Sequence, residues 1–326
     1  MDILIIGAGG VTKSMFNSAI KFPWFKKISI VDISPKAFTY LKLNYPEQVH
    51  SYFNKIDDAI SNKIYDSVWI NTPSFLHYQN VIDVSNATSN IIVAKPLTNN
   101  FQTAYDLVRH AEHKKINLVV GHQMRYQFHL LKIQEFINSG KLGKIESILY
   151  HNTKYRPKVG NLFKENNPVL MEMSCHHFDN LRYLLGSFEI KDVFCKSFKP
   201  SWSNYVSNCF VNALIVTSDN IHLNYQAGYS SLAPYYLIHL IGQKGTLKFE
   251  GVHMSNNTGN LYFAPAGADF FDLILDCNKV ENDVWYLFLK DWYQSLDNHS
   301  SFHGCAKSNL EILNVINLCI LSNSKL

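Results

Sequence analysis

At roughly 150 residues per domain, 326 residues suggest two domains, and a chain 47% apolar and only 17% charged is not disordered as its main state. With 30 Lys and Arg against 26 Asp and Glu, a net charge of +4 and no basic run interleaved with aromatics, nucleic acid is excluded as the leading partner. The opening MDILIIGAGG reads as no secretory signal, no apolar run reaches the ~18 residues of a membrane span, and six scattered cysteines without a CxxC pair fit a reducing compartment.

A cytoplasmic protein without membrane contact is therefore expected. The ending Ser324-Lys325-Leu326 allows a peroxisomal address only in a eukaryote.

The first 120 residues alternate strand and helix signals. Short apolar runs at Ile3–Ile6, Ile28–Val31, Ser67–Ile70, Ile91–Val93 and Leu118–Val120 read as strands buried on both faces. Helical patterns at Val11–Lys21, Pro35–Leu43, His77–Val84 and Phe101–His113 lie between them. This alternation predicts an α/β, doubly wound parallel sheet.

The pattern changes after Gly121. A helix is expected over Phe128–Asn138, stopped by Gly140, then a strand over Lys144–Thr153 and a loop over Tyr155–Pro168. A helix over Val169–Leu185, stopped by Gly186, leads into strand-like runs near 190–198, 206–216, 221–229, 235–241 and 245–250. Strands without intervening helices mean a largely antiparallel sheet. Helices near 282–297 and 305–321 close the chain. The expected division is 1–121 for the first domain and 122–326 for the second.

Gly7-Ala8-Gly9-Gly10-Val11-Thr12 joins the first strand to the first helix. Gly7 permits a tight turn, Gly9 lets the backbone approach a pyrophosphate, and free N–H groups at the helix N-terminus face the phosphates. Thr12 stands where the motif has its third glycine. Asp32 ends the second strand about 20 residues further on, where a carboxylate binds ribose hydroxyls and repels a 2′-phosphate. The cofactor read from this is NAD, with Lys36 close enough to soften the discrimination against NADP. A rival uses the same residues. Gly7 followed by Thr12-Lys13-Ser14 is one substitution from a phosphate-binding P-loop, with Asp32 as a magnesium ligand.

Thr72, Pro73 and His77 follow the next strand read from the pattern, and Lys95-Pro96 follows the one after it. Both segments fall at the carboxyl edge of the sheet, where doubly wound folds bind ligands. On the helix over 169–185, Glu172 and His176 stand at i,i+4 and share a face. Asp179 lies close to that face, and His177 points about 100° away. A carboxylate beside an imidazole orients it and favours its charged form. A solvated helix face is the competing reading. No metal site is expected, because no third ligand follows at metal spacing.

These residues resemble the glucose–fructose oxidoreductase / inositol dehydrogenase / rhizopine-catabolism (Gfo/Idh/MocA) family of NAD(P)-dependent oxidoreductases over nearly the whole length. The glycine turn with Asp32, Thr72-Pro73 through His77, Ala94-Lys95-Pro96, Gly121 to Arg125, Gly140 to Ile145, Glu172-x-Ser174-x-His176-x-x-Asp179 and Gly242 to Leu247 look like its motifs, in its order. The resemblance implies a Rossmann domain followed by an α+β domain with an open sheet, often the oligomer interface, and hence a homo-oligomer, a dimer or tetramer. It implies hydride transfer at a secondary alcohol or ketone of a sugar, sugar nucleotide or cyclitol. By position Lys95, His176 and Glu172 are the catalytic residues, with Gly7, Gly9, Gly10, Val11, Asp32, Thr72, Pro73, His77, Lys95 and Pro96 on the cofactor side.

Three positions depart from the family's pattern: Ala94 for glutamate, Glu172 for aspartate, and Ser174 for glycine, which is expected to narrow the space near the nicotinamide. In the implied mechanism His176 takes the hydroxyl proton as hydride leaves the same carbon, and Lys95 stabilises the developing alkoxide. Arg125, Tyr155, Arg156 and His239 are candidate substrate contacts. If Arg156 or Lys158 binds a phosphate, the substrate is a sugar phosphate or nucleotide. Two alternatives remain: an NAD(P)H-dependent reductase of an imine or C=C bond, and a cofactor-binding protein without turnover.

Overall fold

Ile3, Leu4, Ile5 and Ile6 are all buried, and Asp2–Ile6 becomes β1, flanked by a strand on each side. The computed structural model describes residues 1–157, 166–255, 258–298 and 302–324. Lys158, and Lys325 and Leu326 of the Ser-Lys-Leu ending, lie outside the described residues. Two compact units are present, Met1–Gln123 with Asp283–Leu313, and Met124–Asn282 with the chain from Asn314 onward.

In the first unit β1 joins β2 (Lys27–Val31), β3 (Val49–Phe53), β4 (Ser67–Ile70), β5 (Asn90–Ala94) and β6 (Asn117–Gly121) in one sheet of order 3-2-1-4-5-6. Every pairing is parallel. The crossovers carry α1 (Gly10–Ala19), α2 (Pro35–Asn44), α3 (Ile56–Ile60), α4 (His77–Val84) and α5 (Phe101–His113). This is the doubly wound order in which ligands bind beyond the carboxyl ends, where β1 and β4 diverge. β3 is missing from the sequence reading. Its VHSYF lies at the sheet edge with only Val49 buried, so it has no apolar run. The strands ending at Ile70 and Ala94 are thus the fourth and fifth.

The second unit begins with α6 (Phe128–Asn138), stopped by Gly140 at φ +70°. It continues with β7 (Ile145–Tyr155), a π-helical turn over Leu170–Ser174, and α7 (Cys175–Leu185). Seven strands follow: β8 (Ile190–Phe198), β9 (Phe210–Thr217), β10 (His222–Gly228), β11 (Ser230–Gly242), β12 (Gly245–His253), β13 (Thr258–Pro265) and β14 (Asp272–Asp276). The eight-stranded order is 14-13-12-11-7-10-9-8, antiparallel except for the β7–β10 pair.

Cross-strand register sorts the side chains of this sheet onto two faces. Cys195, Ala213, Tyr225, Tyr150 and Ile238 form one buried row. The Tyr150 and His177 rings lie 4.8 Å apart, so α7 covers this face. The neighbouring row, Phe194, Leu214, Asn224, Leu149 and His239, lies on the other face, where Phe194 and Leu214 are exposed. A cavity of about 390 Å³ lies there.

The last helices are α8 (Val284–Asp297) and α9 (Ala306–Ser324). Trp292 of α8 packs with its ring centroid 6.1 Å from both Trp24 and Trp69. Asp283 accepts bonds from Ser18 and Lys21, each at 2.6 Å. Burial of a large apolar side chain stabilises by roughly 1.5–3 kcal/mol, and the Trp69 and Trp292 indoles are fully buried. The expectation of one continuous domain over 122–326 is therefore corrected: the chain returns to the first unit at Asp283. At the other end of α9, Ser322 and Asn323 accept the outward N–H groups of Cys195 and Ser197, covering the free edge of β8. Among the described residues no helix is long and apolar enough to cross a membrane.

Candidate functional site

The candidate cofactor cradle of the first unit is built from backbone. Gly7 has φ +89°, and a Cβ there would lie 2.9 Å from the carbonyl carbon and oxygen of Asn71, so only glycine fits. Thr12, fully buried, donates to the Gly7 carbonyl at 2.5 Å and accepts from Asn71 Nδ2 at 2.9 Å. Its hydroxyl thus closes the turn from inside and ties it to the end of β4. A Cβ on Gly9 or Gly10 would meet nothing within 4 Å. Gly9 caps α1 without a side-chain bond, leaving early N–H groups of the helix to an incoming ligand.

Asp32 is fixed beside this turn. Its two oxygens accept the N–H groups of Ala8 and Ser34 at 2.6 and 2.7 Å. A carboxylate has about four lone-pair sites, so acceptor capacity remains for ribose hydroxyls. A cavity of about 480 Å³, lined in part by Gly7, Gly9, Asp32, Asn71, Thr72 and Pro73, is of ligand size. These residues fit a dinucleotide. Lys13, which the P-loop rival needs at the phosphates, lies with Nζ 3.8 Å from the Tyr40 ring centroid, and Thr12 fills the place of that motif's glycine.

The segments after β4 and β5 are laced together. His77 is 1% exposed. Its Nε2 lies 2.7 Å from the Thr72 carbonyl oxygen and its Nδ1 3.0 Å from that of Pro96. Asn80 donates to the Thr72 hydroxyl at 2.8 Å. The structure thus gives His77 the task of holding Thr72 and Pro96 in place, behind the surface a ligand meets. Lys95 follows β5 directly, is partly exposed, and precedes Pro96 through a cis peptide bond.

In the second unit the helix expected over 169–185 is not uniform. Leu170–Ser174 is π-helical and carries Glu172, while His176 sits in the first turn of α7 and is 7% exposed. π turns insert one extra residue and often occur at functional positions, so simple i,i+4 spacing does not describe Glu172 and His176. Ser174 is fully buried. It accepts from the Tyr225 hydroxyl and donates to the Val169 carbonyl. Both partners belong to its own unit.

His177 completes the network. Its Nδ1 lies 2.8 Å from the Tyr225 hydroxyl and its Nε2 3.0 Å from Asn152 Nδ2. With Tyr225 donating to Ser174, Nδ1 must carry the proton and Nε2 must accept. Burial, reinforced by Lys154, holds the imidazole well below its ordinary pKa, which keeps it neutral. Asp179 is engaged from an earlier segment of the chain. Both its oxygens are taken by Arg125, from Nε at 2.6 Å and from Nη2, in a fully buried fork.

The four candidate substrate contacts part company. Arg125 is 2% exposed and committed to Asp179, a tie that holds α7. His239 lies in the outer row, on the sheet face away from α7, beside Phe271. Tyr155, 60% exposed, falls by strand alternation on that same outer side. Arg156 lies against Tyr229. Lys154, Tyr229 and Asn152 also belong to this end of the sheet. The sequence reading missed them, although alternation from Asn152 through Lys154 to Arg156 was a usable signal.

Residues 1–122 match the family described as "Oxidoreductase family, NAD-binding Rossmann fold", and residues 130–248 match "GFO/IDH/MocA C-terminal domain". The chain is 23% identical over 192 residues to the uncharacterized oxidoreductase YrbE of Bacillus subtilis, covering 59% of this chain and 55% of that one. It is 26% identical over 152 residues to the scyllo-inositol 2-dehydrogenase (NADP(+)) IolW of the same organism, covering 45% and 41%. The chain thus spans about half the length of these curated relatives. A levoglucosan dehydrogenase in complex with NADH superposes with a TM-score of 0.84 at 15% identity, covering 100% of this chain and 97% of that one.

Proposed function

Since the chain belongs to the GFO/IDH/MocA family of NAD-binding oxidoreductases, we propose that it is an NAD(P)-dependent dehydrogenase acting on a secondary alcohol or ketone of a sugar, sugar nucleotide or cyclitol. The observation that carries this reading is the glycine cradle: Gly9 and Gly10 face open space beside Asp32, whose carboxylate is already oriented by two N–H donors. Relatives named for scyllo-inositol and levoglucosan support the substrate class. The negative charge of Asp32 favours NAD over a cofactor bearing a 2′-phosphate.

Bound NAD(P) supplies the hydride acceptor or donor. His176 holds the proton of the reacting hydroxyl, taking it in oxidation and returning it in reduction. Lys95 donates a hydrogen bond to the substrate oxygen as its charge grows. Glu172 orients the imidazole or accepts from an adjacent hydroxyl.

The test is His176→Ala, assayed with NAD and NADP on scyllo-inositol, myo-inositol, levoglucosan and UDP-sugars. A positioned acid–base group is worth about 10²–10⁴-fold. Turnover is expected to fall by that factor while NADH binding, read by energy transfer from tryptophan, stays unchanged. Turnover insensitive to this substitution rejects the assignment and favours the reductase alternative. A Lys95→Ala pH series then separates lysine from histidine as the base.

A further inference from the structure

One end of the second unit's sheet gathers positive charge on one aromatic ring. Tyr150 and Asn152 of β7 both meet His177, so their side of the strand faces α7. Alternation carries Lys154 and then Arg156 to that same side. The aromatic they converge on is Tyr229, just past β10 and 1% exposed. The Arg156 guanidinium carbon lies 5.2 Å from its ring centroid, with Nη1 3.4 Å from its hydroxyl. Lys154 Nζ is 5.6 Å from the same ring.

The arginine is held from its backbone. Its N–H donates to the Tyr229 carbonyl at 2.9 Å, and its own carbonyl accepts from the Tyr205 hydroxyl at 3.0 Å. Tyr205 in turn stacks on Tyr229 with centroids 5.8 Å apart. The fork is therefore preorganised on an aromatic floor, and most of its five N–H donors are not used by Tyr229. Glu172 reaches the same place: the Tyr229 hydroxyl is pushed up chiefly by burial, with Arg156 opposing and Glu172 reinforcing. A planar guanidinium matches the two oxygens of a carboxylate or phosphate.

We propose that Arg156, with Lys154 beside it, is an anion-recognition site of the substrate pocket, and that the natural substrate is a polyol or sugar carrying a carboxylate or phosphate. The acidic group seats in the Arg156 fork while the reacting hydroxyl is served from the Glu172–His176 segment. This rests on the dehydrogenase reading for the reaction, not for the binding.

The experiment titrates the NADH-saturated full chain calorimetrically with matched compounds: glucose, glucuronate and glucose 6-phosphate. Charge-assisted hydrogen bonds predict that the better acid binds roughly 10- to 100-fold more tightly than glucose. Whichever of the two wins identifies the acidic group. Arg156→Gln is expected to erase the preference, Arg156→Lys to keep part of it and Lys154→Met to weaken it, with NADH affinity unchanged in all three. Equal binding of glucose and both acids, or a preference that survives Arg156→Gln, overturns the proposal. Neutral polyols turned over through His176 without any acid preference leave the dehydrogenase standing and this site refuted. Acid binding lost in Arg156→Gln without turnover of any compound establishes the site and refutes the dehydrogenase.

Discussion

The two units carry their candidate functional residues on different materials. In the first, the working parts are backbone: a glycine at φ +89°, a helix start without a side-chain cap, and an Asp32 oriented by two N–H groups. In the second, they are side chains, and those side chains rest on others. His177, Tyr225, Ser174 and Asn152 share one buried chain of hydrogen bonds beneath the segment bearing Glu172 and His176. A backbone site tolerates no extra atoms but needs little support. A side-chain site tolerates substitution at its surface and fails when a supporting bond is removed.

The sharpest way to break this comparison is at the glycines. At Gly9 a Cβ meets no protein atom within 4 Å, whereas at Gly7 it strikes Asn71. Gly9→Val is expected to abolish detectable NADH binding while leaving the melting temperature nearly unchanged, because only the ligand's space is filled. Gly7→Val is expected to lose both, since left-handed backbone costs a side chain about 1–2 kcal/mol before the clash is counted. Calorimetric binding beside thermal melts separates the two. Retained NADH binding in Gly9→Val would mean that the cradle is not where the cofactor lies.

Next in size is Tyr225→Phe. The change leaves the His177 N–H buried without its acceptor and Ser174 without its donor, a penalty of about 1–3 kcal/mol. If the network positions the π turn, kcat drops about 10-fold with NADH affinity intact. If it only stabilises the unit, the melting temperature falls and kcat does not. Ser174→Ala, which removes the partner and keeps the tyrosine, should move kcat the same way.

The same contrast explains what could be read from sequence. Strands buried on both faces, the glycine turn and Asp32 are one-dimensional signals, because each function depends on a residue type at a fixed spacing. β3 was missed because an edge strand half in water has no apolar run. In the second unit, composition gave the helix and the antiparallel strands, but not which strand face meets α7. That face decides that Arg156 and Lys154 are candidates and that His239 is not. The pairing of Arg125 with Asp179 spans 54 residues, and nothing local in the sequence links them. The return of Asp283–Leu313 to the first unit depends on Trp24 and Trp69 meeting Trp292, a contact that periodicity does not encode.

The mildest test uses pH. His129 of α6 is fully buried, stacked on Phe249 with centroids 4.1 Å apart, and its Nε2 is 3.4 Å from the Tyr236 hydroxyl. Burial pushes its pKa down to about 3, and His177 is likewise depressed. An unfolded histidine titrates near 6.5. Below that pH the unfolded chain takes up protons that these two folded rings refuse, so stability is fully present above about pH 6.5 and is lost as pH falls toward 3. Each refused proton contributes a slope of about 1.4 kcal/mol per pH unit, and for His129 the window runs down to about 3. His129→Gln is expected to lower the starting stability and to flatten the slope by one proton. Fluorotryptophan NMR during urea unfolding reads this unit by unit, because Trp202 belongs to the second unit while Trp69 and Trp292 belong to the first. A slope at Trp202 that is unchanged in His129→Gln would show that the ring is charged when folded, and the second unit's dependence on desolvated side chains would then be weaker than its hydrogen bonds imply.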